Sequence, residues 1–480
     1  MNLTRRNALS GLSFGAAVLT APQLLTASGR PDFGELAKRT SAEVVDGRSP
    51  AFASVREAMV WNPRVANVGE PVAILRVGSA ADVVAAVRFA REHGLRVSVR
   101  GSGHHYFGLP LRDEALLLDL SALNGIEIDA TARIVAAGPA AKGGAVVAAL
   151  AGHGLGFPVG HCSDVALGGY LLNGGLGWNF GEWGVACDSI VGVEVVTPDG
   201  EFVRADRKHN ADLFWSVRGA GPGFFGVVTR YHLAAYELPR AIHLYSAAFG
   251  FESLAAVAAW LPGAIADVHS SVEVICSVAP DTTGRTTVSV LAAGFGATPD
   301  EARVRVAALA QDVPHAARIG EAVDASSSWS DLFASVNAGF PRVRMSGTSM
   351  LTPAAMPDLL IAAGPHTQGM PPPPSAITVI GLGGGAQFPR TDGAYSVGGT
   401  TLLGAYGFWN DAGDDDRYTR WVDAVMKEGE TRGGSYYAGE TDVRNPVRAQ
   451  RSYSADAWQK LGVLRARFDP DRVFFSYPGL

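Results

Sequence analysis

Cysteine is scarce in this chain, with only three among 480 residues. Cys162, Cys187 and Cys276 are too few to build the disulfide framework of a small secreted domain. No C-x-x-C pair is present, and no cluster of cysteines and histidines has the spacing of a zinc site. A disulfide scaffold and a zinc module are therefore excluded. Cys187 and Cys276 are expected either as buried thiols or as an oxidised pair.

Charged residues are also few, at 18% of the chain, and the net charge is -6. No basic block or stripe of lysine and arginine is present to follow a phosphate backbone, which argues against a nucleic-acid partner. The chain has no internal repeat, and no segment beyond the N-terminal signal is long and apolar enough for a stable membrane span. Its length and its 47% hydrophobic content predict a large core divided between two domains.

The first 27 residues have the pattern of an export signal. Thr4-Arg5-Arg6-Asn7-Ala8-Leu9 precedes an apolar run from Leu12 to Leu25, and cleavage is expected after Ala27. Paired arginines before an apolar run are typical of twin-arginine export, so we expect that machinery as a partner and a periplasmic or secreted protein. An ordinary secretory signal or a membrane anchor is the alternative.

A glycine turn follows the first strongly patterned segment. Ser79 and Asp82 form a possible capping box, and valines at helical spacing continue until Gly94. Leu95 to Val99 alternates as a half-buried strand would, and Arg100-Gly101-Ser102-Gly103-His104 follows. The two glycines let backbone amides approach a ligand closely, which suits a pyrophosphate. The Rossmann fingerprint G-x-G-x-x-G in its strand-to-helix context is absent.

A second glycine-rich segment repeats this order of elements. Ala145 to Ala151 is expected as a helix, which Gly152 and Gly154 end, and a short apolar run leads to Gly160-His161-Cys162. Five further glycines follow, at Gly168, Gly169, Gly174, Gly175 and Gly177. So little side-chain bulk leaves room for a planar ring system or a diphosphate.

The two segments together resemble the flavin anchors of the berberine bridge enzyme-like FAD-linked oxidases, in the vanillyl-alcohol oxidase superfamily. In that family a histidine and a cysteine several dozen residues apart both bond to the isoalloxazine ring. The resemblance implies a bicovalent FAD, with an 8α-histidyl link at His104 and a 6-S-cysteinyl link at Cys162. It also implies cofactor contacts from Arg100, Gly101, Ser102, Gly103, His105, Gly160, Val165, Gly168, Gly169, Gly174, Gly175, Gly177 and Val228. His105 and His161 either line the site or simply lie on their loops.

The same resemblance implies an α+β fold. It places a two-subdomain PCMH-type FAD-binding domain at residues 28–238, a substrate-binding domain at 239–435, and a C-terminal segment at 436–480 that returns to the FAD domain. Within the FAD domain, Phe224 stands where the family usually has a polar residue. In the middle region, strand-like runs such as Ser271 to Val278 and Thr286 to Leu291 alternate with helix-like runs such as Glu301 to Ala310, which predicts an antiparallel sheet backed by helices.

The chemistry implied by the family is removal of a hydride by flavin N5 and of a proton by a base, from an alcohol- or amine-bearing substrate. The family places an aromatic-rich segment beside the flavin, which predicts Tyr437 as the base, with Tyr436 and Glu440 as alternatives. A tyrosine serves as a base when nearby positive charge lowers its pKa. The alternative for each tyrosine is a packing role at the domain interface. Glu273, Arg344, Gln387 and Trp409 are further candidates to face a small organic substrate, either a carbohydrate or a bulky natural product.

Val165 bears on the electron acceptor. In the family, a valine three places after the cysteinyl link leaves room for O2 at the flavin, whereas leucine or isoleucine obstructs it. The resemblance therefore favours an oxidase that releases H2O2. A dehydrogenase passing electrons to a quinone or protein acceptor, and a non-catalytic flavin-binding protein, are the alternatives.

Met370 to Pro374 is the clearest break in composition, because consecutive prolines fit neither a helix nor the interior of a sheet. A stiff surface loop or an active-site lid is expected there.

Overall fold

The computed structural model describes residues 31–314, 318–382 and 392–480. The predicted export signal at 1–27 and the candidate Gln387 lie outside these described residues. Asp32–Leu480 form one compact unit. Across the described segments, no helix combines the length and the apolarity needed to cross a bilayer.

The first sheet carries the first glycine turn. Its strands lie in the order β1, β2, β4, β3, and β2, β4 and β3 run parallel while β1 is antiparallel to β2: β1 (Glu43–Asp46), β2 (Ala73–Arg76), β3 (Arg96–Arg100) and β4 (Ala115–Asp119). β4 is buried at every position, as expected of an interior parallel strand. The accompanying helices are α1 (Phe33–Arg39), α2 (Phe52–Glu57) and α3 (Ala80–Glu92). One half of the predicted capping box of α3 is present, because the Ser79 side chain accepts a hydrogen bond from the backbone N–H of Asp82. The Asp82 carboxylate accepts instead from the Gly78 N–H and the Ser79 hydroxyl.

The second sheet carries the segment around Cys162 on its connections. It is antiparallel, in the order β5, β6, β10, β8, β9: β5 (Ile126–Asp129), β6 (Ile134–Ala137), β8 (Ile190–Val196), β9 (Phe202–Ala205) and β10 (Val227–Ala234). A separate two-stranded pair joins β7 (Leu155–Gly156) to β11 (Tyr236–Glu237). The helices are α4 (Gly143–Ala151), α5 (Leu167–Leu172), α6 (Phe180–Trp183) and α7 (Ala211–Val217).

The third sheet has eight antiparallel strands in the order β15, β12, β14, β13, β17, β18, β16, β19. They are β12 (Ala241–Gly250), β13 (Val272–Pro280), β14 (Thr286–Gly296), β15 (Val323–Ser327), β16 (Arg344–Thr352), β17 (Ala376–Gly381), β18 (Thr401–Trp409) and β19 (Ser435–Tyr436). On β13, Val274 and Cys276 belong to the core under the helices, whereas Ile275 between them faces the opposite side.

Four helices back this sheet: α8 (Leu254–Ile265), α9 (Pro299–Val306), α11 (Met356–Ala363) and α12 (Asp415–Glu430). A further helix, α10 (Trp329–Ala338), packs on the cavity side and begins with a capping box between Ser328 and Asp331. The predicted α+β class, with an antiparallel sheet backed by helices, is confirmed.

The C-terminal residues join the first sheet. After α13 (Pro446–Arg451) and α14 (Ala455–Phe468), Phe474 forms a parallel bridge with Val97 of β3. The Val97 N–H donates to the Val473 carbonyl at 2.7 Å, and the Phe475 N–H donates to the Val97 carbonyl at 3.2 Å. The expected boundary at 238/239 falls between β11 and β12, and it stays a prediction.

Candidate active site

One cavity of about 550 Å³ unites most of the predicted site residues. Its walls come from the first sheet, from the second sheet and from the segment after β19. The eight-stranded sheet contributes the face that is turned away from α8, α9, α11 and α12. The predicted cofactor contacts on this wall are Gly101, Ser102, Gly103, His104, His105, Gly160, Cys162, Val165, Gly168, Gly169 and Val228. Phe224, the departure from the family pattern, also lies on it.

Four of the predicted cofactor contacts lie outside the cavity wall. The Arg100 guanidinium supports the first turn instead, donating to Asp119 at 2.9 Å and to the Ser102 carbonyl at 3.0 Å. Gly174 and Gly175 have positive φ, and a Cβ on either would collide with a neighbouring side chain. Gly177 lies against the Val159 backbone in the same way. These glycines therefore permit close packing behind the wall.

His104 is held on two sides. Its imidazole stacks on the Trp61 indole, with ring centroids 5.5 Å apart, and its Nε2 lies 3.1 Å from Oδ1 of Asp164. This hydrogen bond lowers the pKa of Asp164, so the carboxylate is ionised. Sequence reasoning missed both partners. The only signal for Asp164 was its place two residues after Cys162.

Cys162 has a buried side chain on the same wall. Burial, with the nearby carboxylates of Asp164 and Glu440, raises the pKa of its thiol to about 12. The side chain is therefore a neutral thiol at physiological pH. Cys187 and Cys276 are also buried, and no disulfide joins them, which is the first of the two predicted states.

His105 is engaged by backbone on both ring nitrogens. Its Nδ1 accepts from the Phe107 N–H at 3.3 Å, and its Nε2 lies 3.3 Å from the Ala438 carbonyl. Burial lowers its pKa to about 4, which keeps the ring neutral. These contacts fit a structural histidine on the cavity wall.

His161 forms a buried ion pair with Glu273 of β13, with Nε2 and Oε1 2.6 Å apart. Burial opposes the charged imidazole, but the charge and hydrogen bond of Glu273 outweigh it and raise the pKa of His161. His161 lines the main cavity, so the pair favours the protonated form of an imidazole on its wall. Glu273 therefore binds His161 and does not line the main cavity.

The three candidate bases are placed differently. Tyr437 and Glu440 line the cavity, whereas the Tyr436 hydroxyl donates to Glu430 at 2.5 Å and lies off the wall. Burial and the Glu440 charge raise the pKa of Tyr437, and backbone hydrogen bonds from Leu176 and Gly175 oppose this only in part. Positive charge, expected to activate a tyrosine base, is not among the causes of this shift.

Glu440 accepts hydrogen bonds from two phenols that sequence reasoning also missed. The Tyr406 hydroxyl donates to its Oε2 at 2.8 Å, and the Tyr106 hydroxyl lies 3.4 Å from its Oε1. All three side chains line the cavity. The cluster places the Glu440 carboxyl group, which can act as a base, on the cavity wall.

The remaining substrate candidates do not reach the main cavity. Arg344 and Trp409 both bind Asp415, with Arg344 Nε and Trp409 Nε1 each 2.7 Å from its Oδ1. In the proline run, residues 372–374 are exposed and Pro374 borders the cavity.

Polar atoms on the wall indicate a polar ligand. Ser98 Oγ, Asn173 Oδ1 and Thr378 Oγ1 are buried and have no hydrogen-bond partner within the described segments. Buried polar atoms without partners are costly, and a ligand with several donors and acceptors would satisfy them. Mixed with the apolar wall and the glycine turns, they fit a flavin dinucleotide.

Part of the chain that forms the cavity matches a family of FAD-binding domains. Residues 71–206 match the FAD binding domain family, inside the predicted domain at 28–238. The chain is 34% identical to the FAD-linked oxidoreductase ptmO of Penicillium ochrochloron over 238 residues, 48% of this chain and 52% of that protein. The chain thus spans about half the length of the curated relatives it matches.

Two solved structures extend the likeness to the whole fold. The 6-hydroxy-D-nicotine oxidase of Arthrobacter nicotinovorans gives a TM-score of 0.79 at 23% identity, covering 91% of this chain and 96% of that one. The berberine bridge enzyme-like protein 1 of Physcomitrella patens gives 0.80 at 18% identity, covering 93% and 98%. The chain therefore contains an FAD-binding domain and has the berberine bridge enzyme-like fold. The predicted resemblance is confirmed.

Proposed function

We propose that this protein is an FAD-dependent oxidase whose flavin is bonded to both His104 and Cys162. The observation that carries the proposal is their placement on one cavity wall, beside the glycine turns and the Glu440 cluster. Names of the relatives, FAD-linked oxidoreductase and 6-hydroxy-D-nicotine oxidase, support flavin-dependent oxidation of an organic molecule.

When bound, FAD would take a hydride from the substrate at N5. A protein group must take the proton, and we favour Glu440 over Tyr437 because the raised pKa of Tyr437 makes its phenolate costly. Tyr436, directed at Glu430, is the weakest of the three candidates.

The substrate is proposed to be an alcohol or amine with a ring-shaped apolar body. Tyr106, Phe340, Tyr406 and Phe408 give the cavity an aromatic wall, to which such a body would pack. When protonated, His161 would donate a hydrogen bond to an oxygen of the substrate.

O2 is proposed as the electron acceptor, with release of H2O2, because Val165 on the wall has a small side chain. We also propose twin-arginine export to the periplasm or beyond, on the strength of Arg5 and Arg6. A cofactor acquired before export would suit a route that carries folded cargo.

Acid denaturation tests the covalent flavin. The proposal expects flavin to stay with the wild type, with His104→Ala and with Cys162→Ala, and to be released from the double variant. This result would support two bonds, and the masses of flavin-bearing peptides would locate each one. Cys276→Ala is the matched control, since Cys276 is a buried thiol on the other side of the eight-stranded sheet. Release from wild type would contradict the proposal. Substrates are then screened by peroxide release, and flavin reduction without peroxide would indicate a dehydrogenase.

A further inference from the structure

Asp164 lies behind His104 rather than on the cavity wall. It belongs to the loop that carries Cys162, and its carboxylate meets the His104 ring at 3.1 Å. Asp164 does not line the cavity, and its hydrogen bond to His104 is the contact that links it to the wall.

The hydrogen bond defines which ring nitrogen can react. An ionised carboxylate only accepts, so the proton between the two groups sits on Nε2 of His104. In the neutral ring, Nδ1 then carries the lone pair. Stacking on Trp61 at an interplanar angle of 17° fixes the plane of the ring.

We propose that Asp164 is the positioning residue that directs His104 Nδ1 to the flavin methyl carbon C8α while FAD becomes attached. This inference rests on the histidyl bond of the proposed function. The carboxylate holds the reactive tautomer and stabilises the positive charge that develops on the ring as Nδ1 gives up its lone pair.

The reaction balances with O2 as the oxidant. The methyl C–H bond breaks and its proton leaves, the Nδ1–C8α bond forms, and one electron pair stays on the isoalloxazine ring. The Nε2 proton leaves on the side of Asp164. Dissolved O2 takes the electron pair and two protons to give H2O2.

The test uses full-length Cys162→Ala, in which only His104 can hold the flavin. Apoprotein from riboflavin-starved cells is mixed with FAD in air, and acid-stable flavin is followed with time. Adding Asp164→Ala should slow attachment by about 100-fold, the usual size of an acid–base contribution. Acetate should restore part of the rate, because the Asp164 side chain is 35% exposed and the site is open to a small carboxylate. If Asp164→Ala slowed attachment only by disturbing the fold, acetate would not restore the rate.

Asp164→Asn separates orientation from charge. The amide oxygen of the variant still accepts from Nε2 but carries no charge, so we expect a rate of attachment between those of the parent and Asp164→Ala. If Asp164→Ala does not fold, Asp164→Asn alone tests the role of Asp164. Ser163→Ala is the matched loop control, since its hydroxyl binds Asn337 and not His104.

Attachment at the parent rate in either Asp164 variant, with FAD bound before denaturation, would overturn the inference alone. No acid-stable flavin in Cys162→Ala itself would instead overturn the histidyl bond of the proposed function, and the inference with it.

Discussion

Glu440 and Tyr437 line the same cavity, and burial together with the Glu440 charge raises the pKa of Tyr437, which makes its phenolate costly. If Glu440 is the base, Glu440→Gln should slow flavin reduction by about 10²–10⁴-fold, the usual size of a general-base contribution. Tyr437→Phe should have a smaller effect. The rate is measured by anaerobic stopped-flow bleaching of the flavin, with a substrate found by the peroxide screen.

Tyr436→Phe is the control for this comparison, because it removes a neighbouring hydroxyl that lies off the wall. A larger loss in Tyr437→Phe than in Glu440→Gln would restore the tyrosine as the base.

The buried pair of His161 and Glu273 predicts a pH dependence of stability. The pKa of His161 is raised in the folded protein, so its contribution is complete below the ordinary histidine value of about 6.5 and is lost as pH rises through the folded value. Glu273→Gln should lower the free energy of unfolding by on the order of 3 kcal/mol at pH 6.

The variant should also reverse the sign of the pH dependence near this range. Without the carboxylate, burial alone acts on His161 and favours the neutral ring, so stability should rise with pH. Urea unfolding between pH 5 and pH 9 measures both chains. Parallel curves for the two proteins would rule out His161 as the titrating group.

Among the elements, α3 depends on one buried carboxylate. Asp82 accepts from Thr40 Oγ1 at 2.5 Å, from Ser41 Oγ at 2.9 Å and from Ser79 Oγ at 2.9 Å, which joins the segment after α1 to the start of α3. Burial alone would raise its pKa, but these donors bring it to about 2.

Asp82→Asn should therefore cost about 2 kcal/mol of unfolding free energy at pH 7. A lowered acid pKa stabilises the folded state above pH 4, and that contribution is lost as pH falls through about 2. The difference between wild type and variant should therefore shrink to about half at pH 3 and vanish only below pH 2. Urea unfolding at pH 7 and pH 3 measures this. Asp456→Asn, an exposed acid in the first turn of α14, should change little at either pH.

The sequence predicted the elements that depend on interactions between residues close together in the chain. The spacing of valines and the Ser79 cap predicted α3, and alternation predicted β3 and β13, because such patterns are local. Predicted strand ends were short by a few residues, as at β14, which extends to Gly296.

Contacts between distant segments had no such pattern. His161 and Glu273 are 112 residues apart in the chain, and only the eight-stranded sheet brings them together. Folding also brings Trp61 to His104 and Tyr406 to Glu440, and no local pattern in the sequence indicates either contact. The site glycines were predicted through family resemblance. Gly174, Gly175 and Gly177 lie outside the cavity wall, where a Cβ would collide with neighbouring atoms, and a sequence motif does not distinguish such packing from ligand contact.

For the whole molecule, the cavity between the sheets links cofactor binding to stability. If FAD fills it, the His104→Ala/Cys162→Ala double variant should melt at a temperature that rises with added FAD, by the equivalent of about 2.7 kcal/mol at 100 times the dissociation constant. Wild type, with its flavin attached, should show no such dependence. Calorimetry at several FAD concentrations makes the comparison, and a flat response in the double variant would place FAD elsewhere.

The bridge between Val97 and Phe474 joins two segments that are synthesised far apart in time. Phe474 and Phe475 belong to the cavity wall, and the ribosome makes them after every other part of that wall. Arg96 and Phe474 are 378 residues apart, a delay of roughly 20–75 s at about 5–20 residues per second. The cavity wall is therefore incomplete throughout that interval, and it can close only after Phe474 and Phe475 have been made.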